Sequence, residues 1–149
     1  MEEIKCKVEQ LLLKTQKPAR YIGGEHGSVI KDKSKVDVRF AFCFPDVYDV
    51  GMSHLGMKIL YGLKNSVPNW WCERVFMPEK DFEALMRENS IPLYALESLD
   101  PLTEFDFIGF TLQYELSYTN VLAMLDLAGI PVYAKDRKSL TPIVVGGGP

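Results

Sequence analysis

This sequence has no two cysteines close enough to act together. Cys6, Cys43 and Cys72 are its only thiols. Neither a CxxC nor a CxxxCxxC spacing occurs, so no zinc or iron–sulfur motif is present. In a reducing compartment the three are expected as buried or half-buried thiols. There is no apolar run near the roughly 20 residues that a membrane span needs. The first residues, Met1-Glu2-Glu3-Ile4-Lys5, are charged and unlike a secretory signal, so a cytoplasmic location is expected. Nor is there an excess of basic charge. The 17 Lys and Arg face 20 Asp and Glu, a net charge of −3, which gives no sign of a nucleic-acid footprint. No Ser-His-Asp order, nucleophile elbow or GxGxxG is found, and no repeat or low-complexity segment.

What is present suits one globular domain. The chain has 149 residues, 47% of them hydrophobic and 25% charged, enough for a sizeable core. Residues 3–15 carry Ile4, Val8, Leu11 and Leu12 at helical spacing, and Pro18 ends that pattern. Residues 21–32 are glycine-rich and read as a loop or irregular hairpin. Val36 to Phe44 alternates and then turns apolar on both faces, as a buried parallel strand does. A helix is expected over 51–66, with Asp49 or Ser53 able to cap it. Short strands are expected at 74–76 and 92–96, with a helix over 79–88 between them. Residues 105–112 read as a strand and 117–128 as a helix capped by Gly129. Two further short strands, 132–134 and 143–145, flank a charged loop at 135–138. This alternation predicts an α/β fold with a mainly parallel sheet and helices on both faces. Residues 1–20 form a helical extension ahead of a domain over 21–149.

In open parallel sheets ligands bind beyond the carboxyl ends of the strands. Three segments of unusual composition fall there: 45–56, 111–118 and 146–149. Their convergence on one edge is the expected binding site. Each residue also has a plainer reading. Gly51 and Gly56 either belong to the site or let a helix pack close to the sheet. Asp46 and Asp49 are site or turn residues. Gly146, Gly147 and Gly148 either let backbone approach a ligand or make a turn. Gln113, Tyr114 and Glu115 form a polar–aromatic cluster straight after a buried strand. His54 either binds a metal or moves a proton, or is structural. Asp49 and Glu115 are a candidate acid–base pair.

Taken together, the blocks resemble the N-terminal domain of a family of radical S-adenosylmethionine (radical SAM) proteins. They are Tyr21-Ile22-Gly23-Gly24-Glu25, then Val36 to Ala41, then Phe44 to Tyr48 with Gly51 to Gly56. Gly109 to Asn120 and the closing Gly147-Gly148-Pro149 complete the set, so the similarity runs from about Tyr21 to the end. The resemblance implies a Rossmann-like, flavodoxin-like domain of the cobalamin-binding type, lying ahead of a radical SAM barrel in a longer chain. It also implies that the [4Fe–4S] cluster and S-adenosylmethionine belong to that barrel, which makes the protein Fe–S oxidoreductase-like and leaves this domain without catalysis of its own. For cobalamin, the implied site residues are Asp49, Gly51, Ser53, His54, Thr111, Gln113, Glu115, Gly146 and Gly147. Thr111, Gln113, Gly146 and Gly147 would line the nucleotide-tail site, with Ser53 and His54 nearer the ring.

The sequence departs from the cobalamin motif DxHxxG. Counted from Asp49, the histidine position is Gly51, and His54 stands three residues late. Two readings follow. The domain binds cobalamin or a similar cofactor without a protein histidine on cobalt. Alternatively it is a cofactor-free docking domain, with Tyr114, Glu115 and Tyr118 facing the barrel. A receiver-domain reading is disfavoured, because the relevant strand ends in Thr111-Leu112 rather than in an aspartate.

Overall fold

A computed structural model describes residues 2–148. Four parallel strands, β1 (Val38–Phe44), β2 (Trp70–Phe76), β3 (Phe107–Thr111) and β4 (Ile143–Gly147), lie in the order β2-β1-β3-β4. Phe40 is in register with Cys72 on one side and with Phe107 on the other, and Gly109 with Val145. The helices are α1 (Glu2–Leu12), α2 (Tyr48–Ser53), α3 (Leu55–Asn65), α4 (Lys80–Glu88) and α5 (Tyr118–Leu127).

Strand periodicity divides the core in two. Ala41, Cys43, Val75, Ile108 and Phe110 point to one face and pack with α1, α4 and α5. Phe42, Phe44, Cys72 and Phe76 point to the other and meet Met57 and Tyr61 of α3. Thus the α/β architecture with helices on both faces is as expected. The first helix is not peripheral: Val8 and Leu11 are only 1% and 5% exposed and sit in the same cluster as Phe82 and Met86.

The second face is only half covered. α2 and α3 lie over β1 and β2, whereas Ile143 and Val145 of β4 remain exposed. The chain leaves β1 towards β2 on one side and later returns to β3 on the other. The carboxyl ends of β1 and β3 are therefore the point where the winding direction reverses, the usual ligand position in this architecture.

Three expectations need correction. The helix expected over 51–66 starts earlier and breaks at His54, which is both the C-cap of α2 and the N-cap of α3. Residues 92–96 are not a strand, and only an isolated antiparallel bridge joins Tyr94 to Pro101. Residues 132–134 do not pair either, and a 3-10 turn forms over Ala134–Asp136. Short apolar runs satisfy strand periodicity, but without a neighbouring edge in register they have no backbone partners to hold them extended.

The ends of α4 and α5 use one device. Gly129 (φ 69°) follows α5; its N–H donates to the Asp126 carbonyl and that of Ile130 to the Leu125 carbonyl. Ser90 (φ 52°) follows α4 in the same way, with Ile91 donating to the Met86 carbonyl. Both are Schellman closures.

Candidate functional site

A groove of ≈ 440 Å³ runs beside α3 over the open face of the sheet, from Phe40 and Phe42 of β1 to the carboxyl ends of β3 and β4. Its apolar wall is Phe40, Phe42, Leu60 and Val145, and its polar residues are His54, Lys64, Thr111 and Gln113. Gly146, Gly147 and Gly148 complete the edge. Three segments far apart in sequence thus meet at one place. The Gln113 amide donates to the Thr111 hydroxyl, so these two polar groups are already linked. The Lys64 ammonium lies 4.2 Å from the centre of the Phe40 ring.

The expected site residues divide. His54, Thr111, Gln113, Gly146 and Gly147 line the groove. Asp49, Gly51, Ser53 and Glu115 do not. Asp49 is ion-paired with Arg20 in the first turn of α2. Gly51 is there for packing, since a Cβ would fall 2.2 Å from Cε1 of Phe76. The Ser53 hydroxyl donates to the Asp49 carbonyl at 2.7 Å, one helical turn back. Glu115 is exposed, in a 3-10 turn over Glu115–Ser117.

His54 holds a structural post. Its Nδ1 accepts the Met57 backbone N–H at 3.2 Å, which satisfies one orphan donor of the first turn of α3. A neutral imidazole that accepts at Nδ1 carries its proton on Nε2. While this cap is intact, Nε2 therefore has no lone pair for a metal. The ring also packs on Phe44, with centroids 5.2 Å apart.

The glycines also serve several purposes. A Cβ on Gly148 would come within 1.9 Å of the Leu112 carbonyl oxygen, and one on Gly146 within 3.2 Å of the Leu112 side chain. Only at Gly147, of these three, is nothing found within 4 Å. Pro149, the last residue of the closing motif, lies outside the described residues.

The loops after β1 and β3 are tied together above the sheet. The Tyr114 hydroxyl donates to Asp46 at 2.6 Å, and this bond raises the phenol's pKa above its ordinary value. The Asn120 amide donates to the Pro45 carbonyl at 3.0 Å. Beside this strap, Leu116 is 83% exposed and Tyr118 and Leu122 are each 50% exposed.

Sequence reading missed a second polar centre, beneath the glycine-rich loop. Arg74 of β2 pairs with Glu97 at 2.6 Å and with Glu25 at 2.7 Å, and packs over Tyr61. Glu25 also accepts from the Tyr48 hydroxyl at 2.9 Å. Burial alone would push the Glu25 carboxyl up. Its own backbone N–H, Arg74 and the Tyr48 and Ser28 hydroxyls outweigh that and hold it below the usual carboxylate range. Glu97 goes the other way, because burial outweighs Arg74 and raises it. Burial and the Glu25 carboxylate push the Tyr48 phenol up to about 12. The signal was a charged Glu73-Arg74 pair inside an otherwise apolar strand, whose partners lie 49 and 23 residues from Arg74.

Among the described residues, no group of three or more His, Cys, Asp or Glu is arranged to hold a metal ion. Cys43 and Cys72 are buried, and burial raises both thiols. Among the described residues no helix is long and apolar enough to cross a membrane.

The profile of the family described as "Radical SAM proteins, N-terminal" matches residues 56–149. No curated protein matches the chain. No solved structure matches it either.

Proposed function

We propose that this chain, which belongs to the family of radical SAM protein N-terminal domains, is an accessory domain whose carboxyl-edge groove receives a cofactor or substrate. The observation carrying this reading is the convergence of His54, Thr111, Gln113 and the closing glycines on one ≈ 440 Å³ groove. A space of that size, mostly apolar with a few polar groups, suits a small organic ligand. Phe40, Phe42 and Val145 offer surface to its flat or aliphatic part. Gln113 and Lys64 offer donors to its polar end. The cluster-bearing chemistry belongs to the radical SAM part of the protein, since no CxxxCxxC occurs in this chain.

Cobalamin is the cofactor that the resemblance implies, and its fit is partial. A form with a protein histidine on cobalt does not fit, because His54 spends Nδ1 on the α3 cap and Asp49 is engaged by Arg20. The groove itself could accept the aromatic benzimidazole base of the nucleotide tail, against Phe42, Val145 and the open side of Gly147. We therefore derive no chemistry at cobalt.

A specific observation favours docking as a companion role. Leu116, Tyr118 and Leu122 are exposed apolar residues in and just before α5, next to the Tyr114–Asp46 strap, and offer a surface to a partner domain.

Titration of the chain with hydroxocobalamin, followed by calorimetry and absorbance, tests the cofactor reading. A Gly147→Leu variant, whose Cβ would meet nothing within 4 Å, puts an apolar side chain on the groove lining. Saturable binding lost in that variant supports the groove as a cofactor site. Absence of binding to the folded chain overturns the cobalamin reading and leaves docking and substrate contact.

A further inference from the structure

A second cavity of ≈ 360 Å³ lies on the other flank of α3, between that helix and the glycine-rich loop. Arg74 and Tyr61 reach it from within; Met52 and Met57 line it; the exposed His26 and Lys58 lie at its mouth. The Arg74 guanidinium is where its chemistry lies. Arg74 is 7% exposed and its donors are unequally satisfied. Nε donates to Glu97 at 2.6 Å, and Nη2 to Glu25 at 2.7 Å and to the Ser28 hydroxyl at 2.8 Å. Nη1 has one acceptor among the described residues, the Met52 thioether at 3.1 Å. Sulfur is a weak acceptor, so Nη1 is the Arg74 nitrogen with donor capacity to spare.

The two carboxylates decide what that partner should be. Glu25 and Glu97 already match the Arg74 charge and exceed it when both are ionised. A third anion at Nη1 would meet their repulsion, which the solvent-exposed Lys58 at the mouth offsets only weakly, whereas an uncharged oxygen would not. Gly62 adds an independent observation. A glycine inside a helix is destabilising relative to alanine. Gly62 lines this cavity, and nothing lies within 4 Å of where its Cβ would be. Internal packing therefore does not require the missing side chain. Its consequence is to keep the cavity open.

We propose that the cavity between α3 and the glycine-rich loop is a second small-molecule site. It would take an uncharged ligand with a carbonyl oxygen for Arg74 Nη1 and an apolar body against Met52, Met57 and Tyr61. It lies on the opposite flank of α3 from the carboxyl-edge groove, with Met57 common to both linings, and its failure would leave that groove's role intact.

The test is an amide-resolved NMR titration of the chain with acetanilide, a neutral aromatic amide, beside benzoate, its anionic counterpart. Saturable shifts centred on Gly27, Gly62 and the Arg74 Nε–H, with acetanilide binding more tightly, are the expected result. The Gly62→Leu variant puts a side chain on the cavity lining while keeping the helix, and should weaken acetanilide by about tenfold or more, roughly 1.4 kcal/mol. No saturable shift, unchanged affinity in Gly62→Leu, or shifts centred on Thr111 and Gln113 would overturn the site. Tighter binding of benzoate would overturn the neutral-acceptor assignment.

Discussion

Phe40 occupies the space that Gly109 leaves empty: a Cβ on Gly109 would lie 2.4 Å from Cζ of the Phe40 ring. The ring lies between neighbouring strands and forms part of the groove wall. Glycine at 109 therefore serves the protein's own aromatic side chain and only indirectly a ligand.

Replacing Gly109 with alanine should accordingly move Phe40 and cost about 1–3 kcal/mol, the usual range for overpacking. Urea denaturation of the variant measures it. An unchanged midpoint would mean that Phe40 reorients freely and is not a fixed wall.

His54 should behave as a helix cap. His54→Ala is expected to lose about 0.5–2 kcal/mol, and His54→Asn to recover most of it, since asparagine caps well. If the chain binds hydroxocobalamin, the cobalt spectrum should be the same in His54→Ala as in the parent. A spectral change lost in that variant would place His54 on the metal and refute the capping account.

Stability should depend on pH through the Arg74 cluster. Burial raises Glu97 above its unfolded value, so its contribution is fully present below about pH 4.5 and is lost as pH rises through the folded value. Glu25 is lowered, so its contribution is present above about pH 4.5 and is lost as pH falls through its own folded value. The Glu97 contribution should therefore grow as pH is lowered from about 7 towards about 4.5. Urea midpoints at those two pH values, compared with Glu97→Gln, isolate this contribution. A variant whose midpoint shifts with pH as the parent's does would show that Glu97 does not carry the effect.

Ser90 closes α4 in a left-handed conformation that glycine adopts at little cost. Ser90→Gly should therefore raise stability by about 0.5–1 kcal/mol, read as a higher thermal midpoint. A loss would show that the serine side chain makes a compensating contact.

Local pattern was enough to read the α/β class, the glycine stop after α5 and part or all of each of the four paired strands, although it also offered 92–96 and 132–134, which do not pair. Alternation and 3.6-residue spacing are properties of neighbouring residues, and Gly129 needs only its own backbone to end a helix. The convergence of 45–56, 111–118 and 146–148 on one edge was also legible, because parallel strands bring their carboxyl ends together. Which side chains share the groove was not. Asp49 and His54 stand in one short segment, but one turns to Arg20 and the other to the first turn of α3. The Arg74 centre lay beyond sequence reading for the same reason. Its partners come from a loop and a turn remote along the chain, and burial, not spacing, selects them. The exposed half of the second face follows from topology alone: the strand order puts β3 and β4 beside β1, while α2 and α3, the helices on that side, return to β2.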